Sequence, residues 1–167
     1  MAVLVLYALE TLGAPAAGYG LLITAYAVGS LAGTALNSLL AARVGVRVRL
    51  SSAALLGGLS IIGLSANRTF SVAAVAMLIL GIAIMVLNIS AVTLRQQHTP
   101  EHLLGRVSSA FNVLSVATAP VLGTISGLIA SQFGLPAAIA AAGITFCIAA
   151  PLLALGLPTP ASTTAAR

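Results

Sequence analysis

The sequence has no lysine, no aspartate and no tryptophan, and its 167 residues include only two acidic side chains, Glu10 and Glu101. Each absence excludes some chemistry. Without lysine there is no phosphate-loop ammonium and no Schiff-base amine. The single cysteine, Cys147, sits in an apolar run, which removes zinc–thiolate clusters and disulfide scaffolds. Charged residues make up 5% of the chain, where soluble domains carry about 25%. The uncharged stretches 11–42, 50–67, 69–94 and 107–166 hold more apolar surface than a water-soluble fold of this size can hide. What remains is hydrophobic: 60% of residues are apolar and the mean hydropathy is +1.16. The chain reads as an all-α, polytopic membrane protein and not as an enzyme.

A helix crossing a hydrocarbon core about 30 Å thick needs roughly 20 predominantly apolar residues. Segments at about 17–41, 50–66, 72–94, 106–130 and 136–157 qualify as full spans. The run 107–166 holds two of them, because Ser131-Gln132-Phe133-Gly134-Leu135-Pro136 places turn chemistry at its middle. An apolar stub at 1–9 is too short to span. A secretory signal needs a positive segment ahead of its apolar core, and none precedes Ala2–Leu9. The stub is therefore expected to be the second half of a longer helix. These segments predict a membrane domain over 1–157 and a tail over 158–167.

Arginine in short loops favours the cytoplasm. Alternating the loops puts Arg43, Arg47, Arg49, Arg95, Arg106 and Arg167 on one side and Arg68 alone on the other. That bias predicts a multi-pass protein of the cell's inner (plasma) membrane with a cytoplasmic C-terminus. The arginines are dispersed, with no aromatic interleaving, so the net charge of +5 speaks for topology and not for nucleic acid.

The cytoplasmic segments carry motifs. Between the first two spans lies Arg43-Val44-Gly45-Val46-Arg47, in which Gly45 suits a tight turn between antiparallel helices. Its arginines sit beside helix-end carbonyls and near anionic headgroups. Further on, Thr99-Pro100-Glu101 predicts the N-cap and first two positions of a short surface helix. Together with Gly20-Leu21-Leu22 through Gly29-Ser30-Leu31-Ala32-Gly33, these stretches resemble the C-terminal half of a major facilitator superfamily (MFS) transporter. The closest flavour is the bacterial efflux group that includes siderophore and macrolide exporters. Arg43-x-Gly45-x-Arg47 is similar to the second copy of that family's cytoplasmic loop motif, G-x-x-x-D-R-x-G-R-R. Pro100-Glu101-His102-Leu103-Leu104-Gly105-Arg106-Val107, followed by Ala119-Pro120-Val121-Leu122-Gly123, resembles its tenth-to-eleventh helix connection and eleventh helix, and is the most specific match.

The resemblance covers nearly the whole chain. It implies that 1–9 ends the seventh helix and that the five spans are the eighth to twelfth, the C-terminal six-helix half. It further implies secondary active efflux of small amphipathic organic molecules by proton antiport, without a cofactor. The implied partners are the lipid bilayer, a small-molecule substrate, and an N-terminal half or second membrane subunit. Two positions depart from the motif: its Asp falls on Ala42 and its leading Gly on Ser38. A charge relay through that Asp is therefore absent.

Several faces invite function. Tyr19, Tyr26, Ser30, Gly33 and Asn37 fall on one face of the first span, and Met77, Gly81, Met85 and Asn88 on one face of the third. Ser108, Asn112, Ser115 and Ser126 mark the fourth span, with Pro120 as a candidate kink. Polar groups in lipid must find partners, so such stripes point into protein or a watery cavity. Two readings stand: helix–helix hydrogen bonding, or a substrate cavity lined by Tyr19, Tyr26, Ser30, Asn37, Met85, Asn88, Asn112 and Ser115. The resemblance implies that the first, third and fourth spans line the cavity, and the last span, nearly without polar residues, reads as an outer, lipid-facing helix. Gly29-x-x-x-Gly33 and Gly123-x-x-x-Gly127 read as helix-packing pairs.

His98-Thr99-Pro100-Glu101-His102 has the H-x-x-E-H spacing of a metalloprotease. Pro100 breaks the continuous helix that such a site needs, and no third ligand is near. No metal is expected. Neither Glu10 nor Glu101 lies at midplane depth, so a proton-coupling carboxylate is expected outside these 167 residues, with Glu10 serving from the rim as the alternative. Beside the half-carrier reading stand two others: a half-transporter working as a homo- or hetero-oligomer, and a non-transporting membrane interaction protein or remnant.

Overall fold

The structure, a computed structural model, describes residues 16–66 and 69–156. They form α1 (Ala16–Ala41), α2 (Val46–Ala66), α3 (Phe70–His98), a single 3-10 turn (Glu101–Leu103), α4 (Leu104–Phe133) and α5 (Leu135–Gly156). Each predicted span falls on one helix, and no strand interrupts the described residues. The stub at 1–9, Glu10, Arg68 and the tail 158–167 lie outside the described residues. Helices α1 to α4 are long and apolar enough to cross a bilayer, α4 together with the turn before it; α5 adds a shorter apolar segment, Leu135–Ala150.

Local chemistry sets the helix ends. Gly134 stops α4 with φ +85°, a conformation open to glycine, while its N–H donates to Ala130 O at 3.0 Å. Pro136 then falls in the first turn of α5, where no backbone N–H is needed. The connection is thus one residue long. Between α1 and α2 the turn closes through Arg43 N–H and Val44 N–H, both donating to Leu40 O. Gly45 takes no left-handed φ there; its carbonyl accepts from Arg49 N–H at 3.1 Å, an N-cap position. At the end of α3 the expected cap is displaced by one residue. Thr99 is extended (φ −114°, ψ 125°) and ends α3, and Pro100, also extended at ψ 145°, precedes the 3-10 turn. The proline ring disfavours helical geometry in the residue before it, so Thr99 cannot continue the helix.

The helices pair as α1 on α3, α2 on both α3 and α5, and α4 chiefly on α5. Leu22, Leu64, Ala73, Ala76 and Met77 form a buried cluster, with Tyr19 and Tyr26 packed against it. The closest contacts are made by glycine. A methyl added at Gly33 would lie 2.7 Å from Ile82 O, and one added at Gly29 would strike the Leu78 carbonyl. From the other side, Gly81 faces the α1 backbone at Tyr26–Ser30, with an added methyl 3.0 Å from Ser30 N. A second contact joins α2 to α5, where Gly58 meets Gly143 and Cys147. In lipid, apolar side chains gain little from leaving their solvent, so close backbone packing carries association. The last helix is outer on one side only: Ile144, Ile148 and Leu152 are exposed, whereas Ala138, Gly143 and Ala150 are buried.

Gly29→Ala and Gly81→Ala should each lower the unfolding free energy of the detergent-solubilised chain by about 1–3 kcal/mol, the usual cost of overpacking. Gly20→Ala, with nothing within 4 Å of the added methyl, should be neutral or stabilising. Thermal melting monitored by helicity checks the contrast, and equal effects at the three sites would refute this account of the contact.

Candidate functional site

The turns that follow α1 and α3 lie at the same end of the bundle, and a buried polar cluster ties them together. Asn37, four residues beyond Gly33 on the α3-facing side of α1, presents its Oδ1 to two donors. Arg49 Nη1 donates from the first turn of α2 at 2.9 Å, and Ser90 Oγ donates from α3 at 3.3 Å. All three side chains are buried, Arg49 to 6% exposure and Ser90 to 0%. Arg49 Nε and Arg47 Nη2 are buried with no hydrogen-bond partner among the described residues. A cation is thus held inside the bundle by a neutral amide, and no carboxylate among the described residues accompanies it.

The second constellation lies between the end of α3 and the start of α4. The Arg95 guanidinium sits over the Phe111 ring, 4.0 Å from its centroid, within cation–π range. Beside it opens a cleft of about 390 Å³, whose polar lining is Arg95, Gln96, Ser108 and Asn112 and whose apolar lining includes Val92 and Val107. A smaller cavity of about 220 Å³ lies between α4 and α5, lined by Ile125, Ile129, Ala138, Ala141 and Phe146 together with the hydroxyl-bearing Ser126 and Thr145.

The cavity candidates occupy different environments. Asn37 is committed to Arg49 and Ser90. The Ser30 hydroxyl donates to Tyr26 O in its own helix at 3.0 Å. Tyr19 and Tyr26 are half-buried against the apolar cluster, Met85 is half-buried on α3, and Asn88 is exposed. Asn112 and Ser115 lie on α4, which has no buried residue at all. The α3–α4 cleft takes in Asn112 and none of the other seven. In the loop motif Arg43 and Gly45 are exposed and Arg47 is half-buried. Of the packing pairs, Gly29 and Gly33 press on α3, whereas Gly123 and Gly127 have nothing within 4 Å of an added methyl.

Sequence reasoning counted Arg49 only as a loop charge and placed Gly81 only on a stripe of the third span; it did not single out Ser90, Gly58 or Gly143, nor the pairing of Arg95 with Phe111. For Arg49 a signal existed. Five uncharged residues separate Asn37 from Arg43, but a helix beginning at 46 instead of 50 carries Arg49 out of the loop and into the bundle.

Removing the acceptor should cost more than removing the cation. Asn37→Leu strands a buried guanidinium and should destabilise by about 3 kcal/mol. Arg49→Met removes the charge with it and should cost less, and the double variant should recover part of the Asn37→Leu loss. Denaturant titration of the four proteins in detergent checks the order. A larger loss for Arg49→Met than for Asn37→Leu would overturn it.

No curated protein sequence and no solved structure matches this chain. One family profile does, along the full length 1–167. With apolar helices throughout the described residues, and that match over every residue, the chain belongs to the Major Facilitator Superfamily of membrane transporters.

Proposed function

We propose that the chain forms the C-terminal half of an MFS efflux carrier that moves small amphipathic organic molecules out of the cell by proton antiport. The observation that carries this reading is α4. It is a 30-residue, predominantly apolar helix, yet none of its residues is buried, and Asn112 and Ser115 stand exposed, about two to three turns into the helix. Amide and hydroxyl groups at that depth are unfavourable against lipid and call for protein or water. A second half facing α4 supplies both. It covers the apolar residues and leaves a central cavity lined by Tyr19, Tyr26, Met85, Asn88, Asn112 and Ser115.

In this reading the arginine-rich end, with Arg43, Arg47, Arg49, Arg95 and Arg106, lies at the cytoplasmic face of the inner membrane, and the C-terminus is cytoplasmic. Glu101 sits exposed on the 3-10 turn at that end, too far from the midplane to couple proton movement to substrate. The coupling carboxylate is assigned to the other half. A second copy of this chain is the rival occupant, because the uncovered α4 suits it equally.

The isolated chain reconstituted at monomeric dilution should give no efflux of an amphipathic dye from proteoliposomes, and robust transport by the monomer would refute the half-carrier reading. Gly123→Leu and Gly127→Leu should leave the folding of the isolated chain unchanged, since each faces open space. In the assembled carrier they should lower transport by about tenfold or more, equivalent to at least ~1.4 kcal/mol. Crosslinking in native membranes decides between a distinct half and a second copy.

A further inference from the structure

We propose that the cleft between α3 and α4 is a binding site for a phosphate group, supplied by an anionic phospholipid headgroup at the membrane boundary. The inference goes beyond the carrier reading and does not depend on it.

The lining is selective by charge. Arg95 contributes a full positive charge, and Gln96 and Ser108 add neutral side chains able to donate hydrogen bonds; Asn112, deeper along α4, only closes the inner end, and no carboxylate among the described residues lines the cleft. The guanidinium carbon lies 4.0 Å from the centroid of the Phe111 ring, and this cation–π contact restrains where the fork sits. The fork stays planar, and its N–H groups lie in that plane, where a phosphate's oxygens are met two at a time. Holding the fork in place removes much of the ordering cost that a free arginine would meet on binding. The volume of about 390 Å³ is within the ~300–1,000 Å³ of small-molecule pockets.

Depth identifies the source of the anion. Arg95 is the first charge after the uncharged run 69–94, and the uncharged run of α4 begins at 107. The cleft therefore lies where hydrocarbon gives way to headgroups, with Val92 and Val107 on its apolar wall. At that level lipid phosphate is the abundant anion. The acyl chains have somewhere to go: Val113 and Leu114, the next apolar residues along α4, are 69% and 67% exposed.

The test uses the purified chain in zwitterionic nanodiscs, titrated separately with phosphatidylglycerol, glycerol phosphate and inorganic phosphate, with binding read by native mass spectrometry and melting temperature. Phosphatidylglycerol should bind and raise the melting temperature. Arg95→Gln should weaken that binding by about tenfold, Arg95→Lys should restore only part of it, and Ser108→Ala, which leaves the Arg95–Phe111 pair intact, should weaken it measurably. Arg43→Gln, which removes an exposed charge at the same end, should change it less than about twofold. Binding of inorganic phosphate as tight as that of the lipid, and equally dependent on Arg95, would support the site and assign it to soluble phosphate. Equal losses for Arg95→Gln and Arg43→Gln would show diffuse attraction to the membrane surface and overturn the proposal. So would unchanged binding in both Arg95→Gln and Ser108→Ala.

Discussion

The bundle depends on one close approach, the contact of α1 with α3 through Gly29, Gly33 and Gly81. Water drives apolar helices together, but lipid does so weakly, and what remains is dispersion between backbones that can come near each other. The consequences run along the helix. Residues 29, 33 and 37 share one face, so the approach that sets Gly33 on Ile82 also carries Asn37 toward Ser90 on α3. With Asn37 held there, Arg49 entering from α2 finds an acceptor 2.9 Å away. Without the glycines there would be no room for the amide, and without the amide the guanidinium would have no partner inside the bundle.

Helix α4 shows what the same residue spacing does without a neighbour. Gly123 and Gly127 repeat the interval of Gly29 and Gly33, yet among the described residues no other element comes within 4 Å of a methyl added at either. Small residues at an interval of four permit close packing; they do not supply the surface to pack against. This is why α4 is exposed between its two attachments, Arg95 against Phe111 near its start and the α5 contact around Ser126, Ile129 and Ala130 near its end. Pro120 lies in the exposed stretch between them, and the backbone bond it deletes makes that stretch the part of the helix most easily bent.

What was legible in the sequence was local. Span length, helix order and the break at Gly134-Leu135-Pro136 follow from hydropathy and from glycine and proline chemistry, which act within a few residues. The one-residue displacement at Thr99 has the same origin: a proline constrains its predecessor as well as itself. What was not legible was pairing. Nothing in the order of residues says that Gly58 meets Gly143, or that Gly81 meets the backbone at Tyr26–Ser30, because each contact joins segments far apart in the chain. The stripe on α1 illustrates the limit. Its periodicity correctly grouped Gly33 and Asn37 on one side of the helix, but a stripe of small and polar residues has the same pattern whether it faces a cavity or a neighbouring helix. The structure gives Gly33 and Asn37 helix contacts and leaves Tyr19 and Tyr26 half-buried.

The arginines sharpen the distinction between counting charges and placing them. Topology treats Arg43, Arg49 and Arg95 as equal contributions to one sign at one end of the bundle. Their surroundings are not equal: Arg43 is exposed, Arg49 is sealed against an amide, and Arg95 lies over a ring beside an open cleft. A buried cation without a carboxylate is costly, and of the three only Arg49 meets that cost within the chain, through Asn37. Arg95 is spared it by remaining half-exposed, and it holds its charge at the wall of a cavity that contains no acid. Because the chain as a whole has two acidic residues against seven arginines, most of its positive charge has no internal counterpart. The proposed lipid phosphate would balance one of these charges, and among these three residues Arg95 alone combines a positioned fork with space beside it.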